Sequence, residues 1–126
     1  MNMENKSEIL YIAEACESVH TALGGGFSER VYHNALEVYF RLNQITYDSE
    51  LVVPVAYQGH QVGSVRIDLM VDGKVVVECK AIAGKLRAVD REQLMKYIRL
   101  CPYVKAGVLV NFGTELSYVF IHRNER

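Results

Sequence analysis

The sequence lacks the features that mark several specialised classes of protein. Its three cysteines, Cys16, Cys79 and Cys101, share no CxxC spacing, which argues against a disulfide scaffold or a zinc site and favours a reducing compartment. No apolar run is long enough to cross a membrane, and no apolar signal core follows the polar N-terminal segment. We therefore expect a cytoplasmic protein that makes no contact with a membrane.

Low-complexity segments and internal repeats are also missing, while half of the 126 residues are apolar. A chain of this length and composition can bury a substantial core but has no room for a second one. We expect one globular domain over residues 1–126.

The chain has no net excess of basic residues, but its charges are unevenly placed. The formal net charge is -1, yet residues 80–105 carry seven basic and two acidic side chains, whereas residues 1–50 carry three basic and eight acidic ones. The basic segment is a candidate contact for nucleic-acid phosphates. A solvated helix face is an equally good interpretation. The candidate phosphate contacts are Lys85, Arg87, Arg91 and Lys96.

Apolar periodicity predicts the element order ααβββαββ. The helices are expected at about 4–23, 28–42 and 89–100, and the strands at 51–57, 61–71, 74–81, 106–111 and 116–122. The third strand is apolar on both faces and therefore requires cover on both, which predicts an α/β fold with a mixed central sheet flanked by helices. We expect the strand at 51–57 to be core, and the second helix to bury an apolar side formed by Val31, Ala35, Val38, Tyr39 and Leu42.

Three charged residues, Asp68, Glu78 and Lys80, interrupt two strands that otherwise appear buried. A buried charge is costly unless it is paired or binds a metal. Glu78 and Lys80 share one face of their strand. Asp68 reaches that face only if a three-residue loop at 72–74, or a bulge, pairs it with Glu78, because a two-residue turn would pair it with Val77. The alternative is that Glu78 and Lys80 form an ordinary edge-strand pair facing water.

Two carboxylates and a lysine in one place indicate phosphodiester chemistry. Carboxylates supply the hard oxygen ligands that Mg²⁺ or Mn²⁺ prefers, and such an ion would polarise a phosphoryl oxygen and activate water. Lys80 would orient or deprotonate that water, or stabilise charge that develops on the phosphate.

At these residues the chain resembles the PD-(D/E)XK nuclease superfamily, and within it the small GxxExxY proteins. The resemblance runs from about residue 9 to 122 and rests on four motifs in order. These are Gly26, Glu29 and Tyr32 of GxxExxY; Asp68 with Glu78-Cys79-Lys80; Gln93 with Tyr97; and the strand that ends in Asn111-Phe112-Gly113.

The resemblance implies an αβββαβ core and a role for each motif residue. Asp68 and Glu78 would bind the metal with the Cys79 carbonyl as a third ligand, Glu29 would complete the metal site, and Lys80 would be the catalytic lysine. Gln93 and Tyr97 would contact nucleic acid or brace the site. His33, four residues after Glu29, is expected at the surface because histidine is a poor ligand for magnesium.

The sequence thus predicts a nuclease that depends on Mg²⁺ or Mn²⁺ and acts on DNA in preference to RNA. Two rival hypotheses stay open. One is a non-enzymatic module that keeps the fold and binds a protein or nucleic acid, and the other is a homodimer that resolves DNA junctions.

Overall fold

The computed structural model describes the backbone of residues 3–123 and the side chains of residues 8–123. The element order is the predicted ααβββαββ. Its bounds are α1 (Met3–Leu23), α2 (Glu29–Leu42), β1 (Tyr47–Tyr57), β2 (His60–Val71), β3 (Val75–Lys80), α3 (Ala88–Leu100), β4 (Ala106–Phe112) and β5 (Leu116–His122). No helix within this part of the chain is long and apolar enough to cross a membrane.

The five strands form one mixed sheet in the order β1-β2-β3-β4-β5. Strands β3 and β4 are parallel, and the other neighbours are antiparallel. Helices α1 and α2 cover one face and α3 covers the other, so β3 is buried on both sides, as its composition predicts. The arrangement is the α/β fold expected for a PD-(D/E)XK nuclease.

Close packing of α3 on β4 depends on Gly107. A β-carbon at this position would lie 2.6 Å from Leu94 Cδ1 and 3.0 Å from Ile98 Cδ1. The missing side chain lets the helix approach the sheet, which sets the depth of α3 beside the strands that carry the charged residues.

The buried side of α2 differs from the prediction. Tyr32, His33, Leu36 and Phe40 are the buried residues of the helix. Of the predicted side, Ala35 and Tyr39 are half-buried and pack against the core, whereas Val31, Val38 and Leu42 are 37%, 45% and 78% exposed. The two buried aromatic rings remove more apolar surface from water than the smaller aliphatic residues would. The helix is therefore rotated by about one residue relative to the predicted stripe.

His33 is buried, which corrects the expectation that it lies at the surface. Its Nε2 atom lies 2.9 Å from Ser49 Oγ and 2.8 Å from a carboxylate oxygen of Glu37. Glu37 also accepts a hydrogen bond from Ser49. These polar partners compensate the imidazole for the loss of water.

Strand β1 is longer and less buried than we expected from the sequence. It begins at Tyr47, and it is the edge strand of the sheet, with alternating half-buried and exposed residues such as Val52. Strands β1 and β2 continue well beyond β3, which pairs with β2 only over 69–71. The outer part of this hairpin consequently lacks a neighbour on the β3 side, and the strand at 51–57 is half-buried cover, not core.

Candidate active site

The loop between β2 and β3 sets the register of the two charged strands. Val71 pairs with Val75, Met70 with Val76 and Leu69 with Val77, so the connection is the three-residue loop 72–74. Just beyond the last of these pairs, the Asp68 amide donates to Glu78 Oε1 at 3.3 Å, so the two residues lie side by side on neighbouring strands. The alternative two-residue turn is therefore excluded, and the predicted juxtaposition is confirmed.

Asp68 and Glu78 each accept a hydrogen bond from a backbone amide of the opposite strand. Glu78 Oε1 accepts from the Asp68 amide at 3.3 Å, and Asp68 Oδ2 accepts from the Cys79 amide at 3.3 Å. The two side chains take the place of ladder hydrogen bonds at the point where the strands separate. These hydrogen bonds from backbone amides hold both carboxylates in place.

Asp68 also marks an irregularity in β2. In a regular strand Ile67 and Leu69 would share a face, but Leu69 packs under α1 and α2, and Ile67 packs under α3. On the neighbouring strand, Glu50 lies between partners of Leu69 and Ile67 and has a φ of 53°. The pairing stays one-to-one on both sides of this point, so both strands change face at Glu50 and Asp68 without an extra residue.

The carboxylate pair is electrostatically unfavourable without a cation. Glu78 is only 5% exposed, and burial, followed by the negative charge of Asp68, raises its pKa to about 8. A divalent ion held by the two groups would offset both the burial of Glu78 and its repulsion by Asp68. The carboxylate oxygens are the donors that Mg²⁺ or Mn²⁺ prefers. The residues present therefore fit the metal that the fold implies.

Lys80 lies on the same strand face as Glu78, as predicted, but its ion pair is with Asp90. The Lys80 Nζ atom lies 3.8 Å from Asp90 Oδ1. Asp90 is 3% exposed and also accepts hydrogen bonds from the Arg87 backbone amide at 2.9 Å and from its guanidinium at 3.0 Å. These hydrogen bonds from Arg87 hold the pKa of Asp90 below its usual range, so the carboxylate stays charged beside Lys80.

Glu29 approaches the pair from the opposite face of the sheet. It begins α2, and its pKa is raised by partial burial and by the charge of Asp68, whereas Lys80 lowers it. Within residues 8–123, however, no three or more His, Cys, Asp or Glu side chains are arranged to hold an ion. Glu29 thus lies within electrostatic reach of Asp68 without joining it and Glu78 in a ligand cluster.

Gln93 and Tyr97 lie side by side on α3, as their spacing predicts. Gln93 Nε2 donates to the Tyr97 hydroxyl at 2.6 Å. Tyr97 is 6% exposed, and burial raises its pKa, as do the charges of Glu78 and Asp68. The hydrogen-bonded pair therefore lies within electrostatic reach of the two carboxylates.

The four basic residues expected to contact phosphate do not form one surface. Lys85 and Arg91 line a cleft of about 560 Å³ beside β5, together with Thr114 and Ser117. Lys96 lines a second groove of about 790 Å³ on the β2 side of α3, where Gln93 and Tyr97 also lie. The Arg87 guanidinium is bound to Asp90. Helix α3 thus separates two basic grooves.

Comparison with known proteins identifies the family. A family model described as the PD-(D/E)XK nuclease superfamily matches residues 6–123. The chain belongs to this superfamily. None of the curated proteins gives a significant match.

Two solved structures that are similar to this chain have low sequence identity with it. The crystal structure of SSO0001 aligns with a TM-score of 0.56 at 19% identity, over 77% of this chain and 50% of that one. This chain therefore spans half the length of the SSO0001 chain. The alkaline exonuclease LHK-Exo from Laribacter hongkongensis aligns with a TM-score of 0.48 at 10% identity, over 92% of this chain and 82% of that one.

Sequence reasoning missed Asp90 as a partner of Lys80. A local signal for Asp90 was present in the sequence. An acidic residue three positions after the N-cap residue of a helix commonly forms a capping box, and here Asp90 forms one with the N-cap residue Arg87. The ion pair with Lys80 joins a strand to the following helix across a seven-residue connection. Its geometry depends on how α3 docks, which the sequence pattern does not contain.

Proposed function

We propose that this chain is a nuclease that uses Mg²⁺ or Mn²⁺ to hydrolyse phosphodiester bonds in DNA. The observation that carries the proposal is the register of β2 and β3, which sets Asp68 against Glu78 in a buried strand pair with Lys80 on the same strand face as Glu78. Membership of the PD-(D/E)XK superfamily supports the assignment.

Each residue has a distinct part in the proposed reaction. Asp68 and Glu78 would hold the ion, which when bound supplies positive charge to the phosphoryl group. Lys80 would orient the attacking water or donate to the phosphate as negative charge grows; to take the proton of the water it would first have to release its own. The Asp90 carboxylate, 3.8 Å from Lys80 Nζ, helps to fix the position of the ammonium group.

The GxxExxY subgroup is part of the same proposal. Gly26, Glu29 and Tyr32 fit its pattern, and the charge of Glu29 is felt by Asp68 and Lys80. We assign Glu29 to the metal site through the water that Mg²⁺ retains, since no three-carboxylate cluster forms within residues 8–123.

A cleavage assay tests the proposal. Labelled linear duplex, single-stranded and branched DNA, and a matched RNA, are incubated with wild-type protein, Glu78→Gln and the control Glu8→Gln, with Mg²⁺, with Mn²⁺ and with a chelator. The wild type and Glu8→Gln should cut DNA only with metal, and Glu78→Gln should not. Glu8 is a suitable control because it is also a buried acid but lies beside Lys74, at the other end of β3.

The assay also separates the two rivals. DNA binding without cleavage, equal in the wild type and Glu78→Gln, would replace the proposal with the binding module. Selective cutting of branched DNA by a dimer would identify a junction-resolving enzyme. Equal cleavage by the wild type and Glu78→Gln would contradict the assigned site.

A further inference from the structure

The C-terminal end of β4, Asn111-Phe112-Gly113, contacts both loops that lead to the proposed catalytic residues. Asn111 pairs with Lys80 in the parallel ladder, so this segment lies directly beside the end of β3. Asn111 and Phe112 are 2% and 1% exposed. Both side chains are therefore buried, and Asn111 also forms part of the wall of the cleft that Lys85 and Arg91 line.

The Asn111 side chain holds the segment that follows Lys80. Its Oδ1 accepts from the Ile82 amide at 2.9 Å, and its Nδ2 donates to the carbonyls of Ile82 at 3.1 Å and Gly84 at 3.2 Å. The buried Asn111 amide thus makes three hydrogen bonds to the backbone of the segment after β3, and these continue the β3–β4 hydrogen bonding beyond the last strand pair. No aliphatic residue could satisfy these groups.

Phe112 holds the segment that precedes Glu29 through Tyr32. The two rings are parallel, with an interplanar angle of 4° and centroids 4.6 Å apart. The Tyr32 hydroxyl donates to the Gly24 carbonyl at 2.6 Å and accepts from the Phe27 amide at 3.2 Å. The loop from Gly24 to Phe27 is thus folded around one hydroxyl group.

Gly113 contacts the same loop from its backbone. Its carbonyl oxygen lies 2.8 Å from His20 Nε2, and a β-carbon at Gly25 would lie 2.7 Å from it. Only glycine at position 25 permits this approach. The loop before Glu29 is therefore held by the Tyr32 hydroxyl, and the end of β4 contacts it twice, through the Tyr32 ring that stacks on Phe112 and through the close approach of Gly113 to Gly25.

We propose that the Asn111-Phe112-Gly113 segment, acting through Tyr32, is a positioning device that fixes Glu29 relative to Lys80. The two residues lie on separate elements, and the segment contacts the loops of both. Tyr32 is a positioning residue in this account because it is fully buried and acts through Glu29. The inference rests on the proposed nuclease function for its catalytic consequence, but the anchoring itself can be measured without activity.

The test uses Tyr32→Phe, which keeps the stacked ring and removes the hydroxyl with its two hydrogen bonds. The matched control is Tyr118→Phe, which removes a hydroxyl that also bonds to a backbone carbonyl, that of Ala13 at 3.3 Å, away from the Glu29 loop. Tyr32→Phe should lower kcat by about 10-fold or more, because small displacements of catalytic groups are costly, with KM nearly unchanged. Tyr118→Phe should not change kcat.

A double-mutant cycle distinguishes positioning from general destabilisation. If Tyr32 acts through Glu29, Tyr32→Phe should change kcat by less than about twofold in a Glu29→Gln background. An equal loss of kcat in both backgrounds, or the same loss in Tyr118→Phe, would overturn the proposal.

Amide hydrogen exchange tests the anchoring independently of activity. The Phe27 amide should exchange at least about 10-fold faster in Tyr32→Phe than in the wild type, while the Ile82 amide, held by Asn111, keeps its protection. Unchanged exchange at Phe27 would overturn the anchoring. If the wild type cuts no nucleic acid but Phe27 behaves as expected, the proposed function fails and the anchoring stands.

Discussion

The two ends of the β2–β3 pair carry the same types of charge in different arrangements. At the loop end, Lys74 Nζ lies 3.6 Å from Glu8 and 4.0 Å from Asp72; these three residues form the loop cluster. At the other end, Asp68, Glu78 and Lys80 form the site cluster, but Lys80 is paired with Asp90. Among the side chains that the structure describes, no ion pair within 4.0 Å joins Lys80 to either carboxylate of its own cluster.

The difference shows how one set of residue types serves structure in one place and chemistry in another. In the loop cluster a lysine lies directly beside both acids, which compensates in part for the burial of Glu8. In the site cluster the lysine is paired with a third acid, and burial together with the charge of Asp68 raises the pKa of Glu78 to about 8. The proposed cation would replace the proton that Glu78 holds at neutral pH.

Glu78→Gln against Glu8→Gln should give the largest contrast. Removing one of the two proposed metal ligands should reduce nuclease activity by about 1,000-fold, while Glu8→Gln should leave it unchanged. Glu78→Gln should not lower the free energy of unfolding, because it replaces a buried carboxyl group whose ionisation is opposed by burial and by Asp68. Cleavage kinetics and urea unfolding check both parts, and a Glu78→Gln protein that keeps its activity would contradict the comparison.

Lys80→Met against Lys74→Met should give the next largest effect. Loss of a group that moves a proton typically costs about 100- to 10,000-fold in kcat, so Lys80→Met should fall in that range. Lys74→Met should leave kcat intact and should destabilise the fold, since it leaves Glu8 buried without its partner. Single-turnover kinetics and thermal unfolding measure the two effects. A loss of kcat in Lys74→Met together with an unchanged kcat in Lys80→Met would contradict the roles assigned to the two lysines.

Asp90→Asn should have an intermediate effect, because it keeps the shape of the side chain and removes its charge. Lys80 loses its ion pair, and we expect kcat to fall by about 10-fold while KM stays constant. The helix cap also weakens, at a cost of about 1 kcal/mol in unfolding free energy. A change in KM alone would show that Asp90 contacts the substrate and does not position Lys80.

The element order was predictable from the sequence, but the β2–β3 register and the details that complete the site were not. Asp72-Gly73 suits a two-residue turn as well as it suits part of a three-residue loop, and only the structure shows that the loop is 72–74. The ion pair of Lys80 with Asp90 and the burial of His33 depend on contacts between separate elements. The rotation of α2 likewise depends on which side chains best fill the space against the sheet.

Variants in the two basic grooves beside α3 should have smaller effects than the variants above, and these effects should be on DNA affinity. Lys85→Ala with Arg91→Ala, and separately Lys96→Ala, should each weaken DNA binding without changing kcat at saturating DNA. Each true phosphate contact removed should reduce the slope of log K against log salt by about 0.7 to 0.9. Fluorescence titrations at several salt concentrations would show which side of α3 carries the strand, and an unchanged slope in either variant would exclude that groove.

The smallest expected effect is a pH dependence of the loop cluster. Burial, together with a hydrogen bond to Asp72, raises the pKa of Glu8 from 4.5 to about 7. Between those pH values the folded protein keeps a proton that the unfolded chain has lost, so Glu8 makes stability fall as pH rises through this window. Unfolding curves of Glu8→Gln should show a weaker decline than the wild type, and identical pH profiles would refute the assignment.

Calorimetric titration with Mn²⁺ tests the central claim most directly. Three proteins are compared: the wild type, Asp68→Asn/Glu78→Gln in the site cluster, and Glu8→Gln/Asp72→Asn in the loop cluster. We predict that the wild type and the loop-cluster variant bind the ion equally well and that the site-cluster variant does not bind it. Binding that survives in the site-cluster variant, or that is absent from the wild type, would contradict the account.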